Sequence, residues 1–226
     1  MMQPWVAVEG GTWWLWTSTW DTARGSSSTN IATSTDGIAW TTRNASVPLP
    51  EGGSATLFGN RAAWSEGGGW VMLQEVGIPS PWSIYLYRSH DGLAWTLENG
   101  GRPVSGLQRH EGGMYGGPSL ANVEGVAQPR DADGRYHMWY HAASAAGNLP
   151  TNVYHATSTN LTAWAASPAG PVLAHGGAKF EYDQVADPSV ALHAGKSFLY
   201  YDGDNNRVGS AAIGGAVGAT ARSRAT

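Results

Sequence analysis

Cysteine is absent from the sequence, so neither a disulfide framework nor a cysteine-based metal site is available to it. A reducing compartment fits that absence without being required by it. Charge is scarce: Asp, Glu, Lys and Arg make up 13% of the chain, with a net charge of -4. The 13 Lys and Arg are scattered over 226 residues and form no basic patch, so nucleic acid is not an expected partner. Apolar runs stay short of the ~18 residues that span a bilayer, so no membrane partner is expected either. The opening residues Met1-Met2-Gln3-Pro4-Trp5 carry neither the basic nor the apolar stretch of a signal peptide. The compartment, cytoplasmic or released, stays open. Helical patterning is missing too, since no apolar period of 3.6 lasts three turns.

What the chain has instead is turns and large aromatics. Its 31 Gly and 12 Pro mark many reversals. Twelve Trp and nine Tyr against three Phe suit sheet-on-sheet packing, and their flat faces also suit sugar rings.

One stretch organises the rest. Ser34-Thr35-Asp36-Gly37-Ile38-Ala39-Trp40 returns as Ser89-His90-Asp91-Gly92-Leu93-Ala94-Trp95, and in altered form as Ser158-Thr159-Asn160-Leu161-Thr162-Ala163-Trp164. Each copy follows a β-rich run, so each reads as a hairpin whose Asp or Asn caps the turn and whose Gly supplies a positive φ. The three Trp are expected in the core. Aromatic strands precede these hairpins at Thr12–Trp16, Trp70–Leu73 and Tyr136–His141, with a fourth at Ser197–Tyr201. A shorter apolar strand precedes each of those: Trp5–Val8, Arg61–Trp64, Ser119–Val123 and Ser189–Leu192. Four antiparallel strands per unit predict an all-β fold, a β-propeller of four-stranded blades. The blades fall at about 3–48, 54–103, 112–172 and 183–226 of a single domain over 1–226. The fourth keeps three strands, its third at 207–213, with a frayed tail from Gly214. Asp202–Asn206 reads as a polar hairpin turn rather than a calcium loop, because position six is Arg207.

With the units laid out, the chain resembles the five-bladed propeller glycosidases: the arabinanase, levansucrase and invertase superfamily, including glycoside hydrolase family 43. Val185-Ala186-Asp187-Pro188-Ser189-Val190 with Ser197-Phe198-Leu199-Tyr200-Tyr201-Asp202-Gly203 is similar to that family's blade opening. Gly117-Pro118-Ser119-Leu120 with Tyr136–Tyr140 is a second such opening, and Ala32–Trp40 resembles the outer hairpin. The hairpin is also similar to the Asp-box of sialidases, one residue shorter, but their arginine triad has no counterpart here.

The resemblance implies carboxylates at blade openings that face a central funnel and act as base, acid and pKa tuner. It puts Asp187 in the base or tuner position, against a structural alternative in which it caps a turn. Aligning the third blade on the fourth sets Glu111 opposite Glu181, which makes Glu111, beside Arg109 and His110, the candidate general acid. Asp183 is a third carboxylate in the linker, and Glu51 enters the second blade in a similar place. Trp5, Tyr115, His110, Arg109 and His141 are candidate substrate-binding residues. His137 and His141 share a strand face, which suits buried, backbone-bonded histidines more than a metal pair. No metal or cofactor is expected. Gln3-Pro4 occupies the first-blade position where the family carries a carboxylate, and Gln cannot serve as base. Three readings therefore stand: a glycoside hydrolase of arabinan or xylan type, a non-catalytic carbohydrate-binding propeller, and a structural propeller whose self-association completes or caps the ring.

Overall fold

A computed structural model describes residues 2–21, 26–50, 57–77, 81–123, 126–146, 149–194, 196–205 and 210–219. Apart from two short 3-10 turns, at Asn99–Gly101 and Lys179–Glu181, every regular element among them is a strand. By its internal contacts the chain divides into two compact units, Met1–Val104 and Ser105–Thr226.

The first unit holds two four-stranded antiparallel sheets, each in chain order. One is β1 (Met2–Glu9), β2 (Thr12–Asp21), β3 (Ser26–Ser34) and β4 (Thr41–Arg43). The other is β5 (Leu57–Glu66), β6 (Gly69–Gly77), β7 (Ser83–Ser89) and β8 (Trp95–Leu97). Period-2 alternation gives each sheet an apolar face, and the two faces share one core containing Trp16, Ile31, Trp70, Met72 and Tyr87. Trp14, Trp16 and Trp70 meet with ring centroids 4.9–5.9 Å apart.

In the second unit β9 (Tyr115–Ser119), β12 (Tyr136–Ala143), β13 (Thr151–Ser158) and β14 (Ala165–Ala166) pair antiparallel in that order. So do β15 (Gln184–His193), β16 (Lys196–Asn205) and β17 (Ser210–Ala219). Short parallel ladders, Ala121–Asn122 with Val190–Ala191 and Thr151 with Gln184, join them into a nine-stranded sheet. The hairpin of β10 (Ala121–Val123) and β11 (Val126–Gln128) completes it.

The three hairpins form as their sequences dictate. Asp36 Oδ1 accepts the backbone N–H groups of Ile38 and Ala39 at 2.8 Å, and Ser34 Oγ accepts that of Gly37 at 2.9 Å. Ser89 and Asp91 do the same for Gly92, Leu93 and Ala94. Asn160 replaces the aspartate in the third copy and still accepts from Thr162 and Ala163. The third position is left-handed in every copy, at φ 73° and 75° for Gly37 and Gly92 and 69° for Leu161. Leucine tolerates it while its side chain is fully buried. Trp95 and Trp164 are buried and donate Nε1–H to the turn carbonyls of Gly92 and Leu161, whereas Trp40 is only half-buried.

Three expectations change. Gly214–Ala219 is not a tail but the second half of β17, paired in register with Lys196–Tyr201. The small residues let a strand continue where Gly-Gly suggested a turn. Asp202–Asn205 is likewise strand, not turn, because β16 runs through it. Ser119–Val123 is broken at Leu120 into β9 and β10. Glu51, Asn206 and Arg207 lie outside the described residues.

Candidate active site

The strands β1, β5, β9 and β15 are each kinked at one place. Opposite the single residues Thr17, Glu75, Tyr140 and Tyr201 stand the pairs Gln3-Pro4, Gly59-Asn60, Gly117-Pro118 and Asp187-Pro188. Two residues against one is a β-bulge, a device that breaks the ladder and re-aims a side chain. Proline suits it because it has no N–H to offer the ladder. The preceding residue is left-handed in all three proline cases, with φ 53° at Gln3, 56° at Gly117 and 49° at Asp187. A non-glycine residue held there stores about 1–3 kcal/mol of strain, a cost that gathers at functional sites.

In the first unit the bulges surround a buried polar cluster. The Arg61 guanidinium donates to Gln74 Oε1 at 2.9 Å and to Ser18 Oγ, the Gly59 carbonyl and the Gln3 carbonyl. Burial works against its charge, and the neighbouring Glu75 works for it. Trp5, a candidate substrate-binding residue, is half-buried, packs against the core and donates Nε1–H to the Ala63 carbonyl at 2.8 Å.

In the second unit three of the bulge and strand residues converge. His141, buried on β12, has Nδ1 3.2 Å from Asp187 Oδ1 and 3.2 Å from the Asp187 backbone nitrogen. Gly117 closes the group: a Cβ there would sit 2.5 Å from His141 Nδ1 and 3.0 Å from Asp187 Oδ1. Ala186 pairs with Asp202 across the ladder, so Asp187 lies beside Asp202 as well. Partial desolvation and the negative charge of Asp187 raise the Asp202 pKa, against a smaller opposing pull from His141. Asp202, Asp204, Gln184 and Ile213 line a cleft of about 300 Å³ between β15, β16 and β17. Two carboxylates near enough for one to raise the pKa of the other form a pair that can divide acid and base roles.

The remaining candidates are placed as follows. Glu111 is exposed on the turn before β9, where His110 Nδ1 contacts its carbonyl at 3.0 Å. Arg109 lies with its guanidinium 4.7 Å from the centroid of the Tyr115 ring and donates to the Gly113 carbonyl at 2.7 Å. Asp183 is half-buried ahead of β15, its N–H on the Asp204 carbonyl at 3.1 Å. Glu181 is an anchor: it accepts from the Ala178 N–H at 2.7 Å and from the Tyr201 hydroxyl. Burial and that carboxylate push the Tyr201 pKa up to about 12. His137 and His141 turn to separate partners, His155 with Asp131 and Asp187 respectively. Asp202 was missed because the acid-rich stretch reads as a turn. The alternation of Asp202 and Asp204 along a strand was the available signal.

No protein-family model and no curated protein matches the chain in sequence. Solved structures do match in fold. A glycosyl hydrolase from Bacteroides ovatus superposes with a TM-score of 0.68 at 17% identity, over 95% of this chain and 65% of that one. A thermostable family-43 glycoside hydrolase gives 0.69 at 17%, over 97% and 69%. A beta-1,2-mannobiose phosphorylase from Listeria innocua gives 0.67 at 11%, over 95% and 70%. The chain therefore has a glycosidase-like β-propeller fold, all-β and mainly antiparallel, shared with these hydrolases and the phosphorylase and not particular to family 43. It spans about two thirds of the length of these structures.

Proposed function

We propose that this protein is carbohydrate-active and cleaves glycosidic bonds by acid/base chemistry at Asp187 and Asp202. The observation that carries the reading is the strained Asp187: its carboxylate is re-aimed by a bulge, set against His141, and raises the pKa of Asp202. In hydrolysis Asp202 gives its proton to the departing glycosidic oxygen. Asp187 takes a proton from the water whose oxygen bonds to the anomeric carbon. Tyr115 is buried beneath the Arg109 guanidinium, so of that pair Arg109 is the one left as a candidate for sugar hydroxyls. That solved hydrolases and a phosphorylase share the fold supports carbohydrate as the substrate class. Glu111 and Asp183 remain proposals for the acid in place of Asp202.

A second reading is carbohydrate binding without cleavage. It is favoured by the bulges themselves, because of the three left-handed positions only Asp187 carries a carboxylate, against Gln3 and Gly117. A panel of aryl glycosides and arabinan, run across pH with wild type, Asp187→Asn and Asp202→Asn, separates the two. Turnover lost in both variants supports cleavage. Absence of turnover in folded wild type, with glycan binding retained in both variants, supports binding alone.

A further inference from the structure

In the second unit four groups form a chain. Asp131 Oδ2 lies 2.9 Å from His137 Nε2, His137 Nδ1 lies 3.0 Å from His155 Nε2, and His155 Nδ1 contacts the Ser167 carbonyl. The two ring planes lie within 26° of each other with centroids 5.1 Å apart, and the Trp139 ring centroid lies 4.7 Å from that of His155. Asp131 is the cap of the turn before β12, accepting the N–H groups of Asp133 at 3.0 Å and Arg135 at 2.9 Å. Ser167, just past β14, also donates its N–H to the His155 carbonyl at 3.0 Å. The chain thus ties a turn, two neighbouring strands and the exit of a third.

Its two ends fix where the protons are. A backbone carbonyl only accepts, so His155 Nδ1 carries hydrogen. An ionised carboxylate only accepts, so His137 Nε2 carries hydrogen. The nitrogen-to-nitrogen contact between the rings needs one hydrogen, and only one. Three ring protons are therefore required, and two neutral imidazoles hold only two. The third makes an imidazolium, which belongs on His137 because Asp131 abuts it.

We propose that Asp131, His137, His155 and the Ser167 carbonyl form a proton-counting clasp, closed with three ring protons and opened by a fourth. A fourth proton falls on His155 Nε2 and sets N–H against N–H, breaking the contact between the rings. Burial lowers the His155 pKa, the Ser167 carbonyl opposes it and His137 adds to it, so folding favours the neutral ring. The sign for His155 follows: its share of the clasp's stability is present above the ordinary histidine value and is lost as pH falls toward the depressed one, while loss of the third ring proton at higher pH opens the clasp from the other side. The Asp131 pKa is lowered, first of all by its hydrogen bond from His137. The other charged groups near the clasp lie on the turn before β12. The turn carries Arg130, Asp133 and Arg135, with the Arg130 guanidinium over the Tyr136 ring. On β13 the neighbouring Tyr154 stacks on Tyr140, and β14 is two alanines.

Long-range proton–nitrogen correlation of the histidine rings tests the count. In the closed clasp His155 should be the Nδ1–H tautomer and His137 should carry hydrogen on both nitrogens. On acidification, hydrogen-exchange protection at Ser167 and Arg135 should fall together by tenfold or more, and His155→Phe should abolish that pH response. An Nε2–H tautomer at His155, or the same response in the variant, overturns the clasp. Asp131→Asn gives a second route: removing the negative charge should leave His137 with a single ring proton, and a doubly protonated ring in that variant overturns it equally.

Discussion

His141 meets Asp187 through one nitrogen in two ways: Nδ1 is 3.2 Å from the carboxylate and 3.2 Å from the backbone N–H of the same residue. It cannot serve both at once. Protonated, it donates to Oδ1; unprotonated, it accepts from the N–H. Either way it fixes Asp187 in the left-handed bulge.

That backbone strain is separable from the chemistry. Asp187→Gly removes the Cβ penalty at φ 49° and should hold or raise stability by up to about 1 kcal/mol, while Asp187→Ala keeps the penalty and should lie about 1–2 kcal/mol below it. Both should be inactive. Urea midpoints with matched slopes measure the difference, and an alanine variant as stable as the glycine one would remove strain from the account.

Gly117 should tolerate nothing larger. In Gly117→Ala the new Cβ meets His141 Nδ1 at 2.5 Å in a backbone already at φ 56°. The buried ring must shift, so a loss of about 2–3 kcal/mol is expected, together with loss of activity. Thermal unfolding and turnover of the one variant report both.

Asp202 as the acid must be protonated to act. Activity should therefore fall as pH rises through its pKa, which lies above the ordinary carboxylate value. Asp202→Asn should lower kcat by about 10²-fold or more and abolish that limb. If the limb survives in the variant, the acid is another group, with Glu111 next to be changed.

The hairpin caps carry their own pH dependence. Backbone N–H groups of Ala39 and Ile38 lower the Asp36 pKa, as those of Ala94 and Leu93 do for Asp91. Their stabilisation is present above the unfolded aspartate value of ~3.9 and is lost as pH falls through the folded values. Asp36→Asn should keep the turn, since Asn160 caps the third copy, but should flatten the acid limb. Unfolding midpoints between pH 5 and 2 check it.

Much of the architecture was legible because it is local. Ser, Asp and Gly at fixed offsets write a turn into three consecutive peptide groups, and aromatic alternation writes a strand beside it. The eight aromatic and apolar runs all became strands, though Ser119–Val123 broke at Leu120. Where local signals were weak the reading slipped. Gly214-Gly215 reads as a turn by propensity, yet β16 offers a full ladder and the chain takes it. Propensity yields to ten paired residues. The candidate site was half legible: Asp187, His141 and the Gly117 position could be named from the sequence, whereas Asp202 and the role of Glu181 could not.

The sequence by itself determined the hairpins, the all-β class and the Asp-Pro and Gly-Pro steps at which the first strands bulge, because each rests on residues within reach of one another along the chain. Only the tertiary structure decided which side chains share a charge or a proton. Asp187 meets His141 across 46 residues, and His137 meets His155 through strand register. Such couplings fall off within a few ångström, so they depend on how strands align, and spacing in sequence does not carry that.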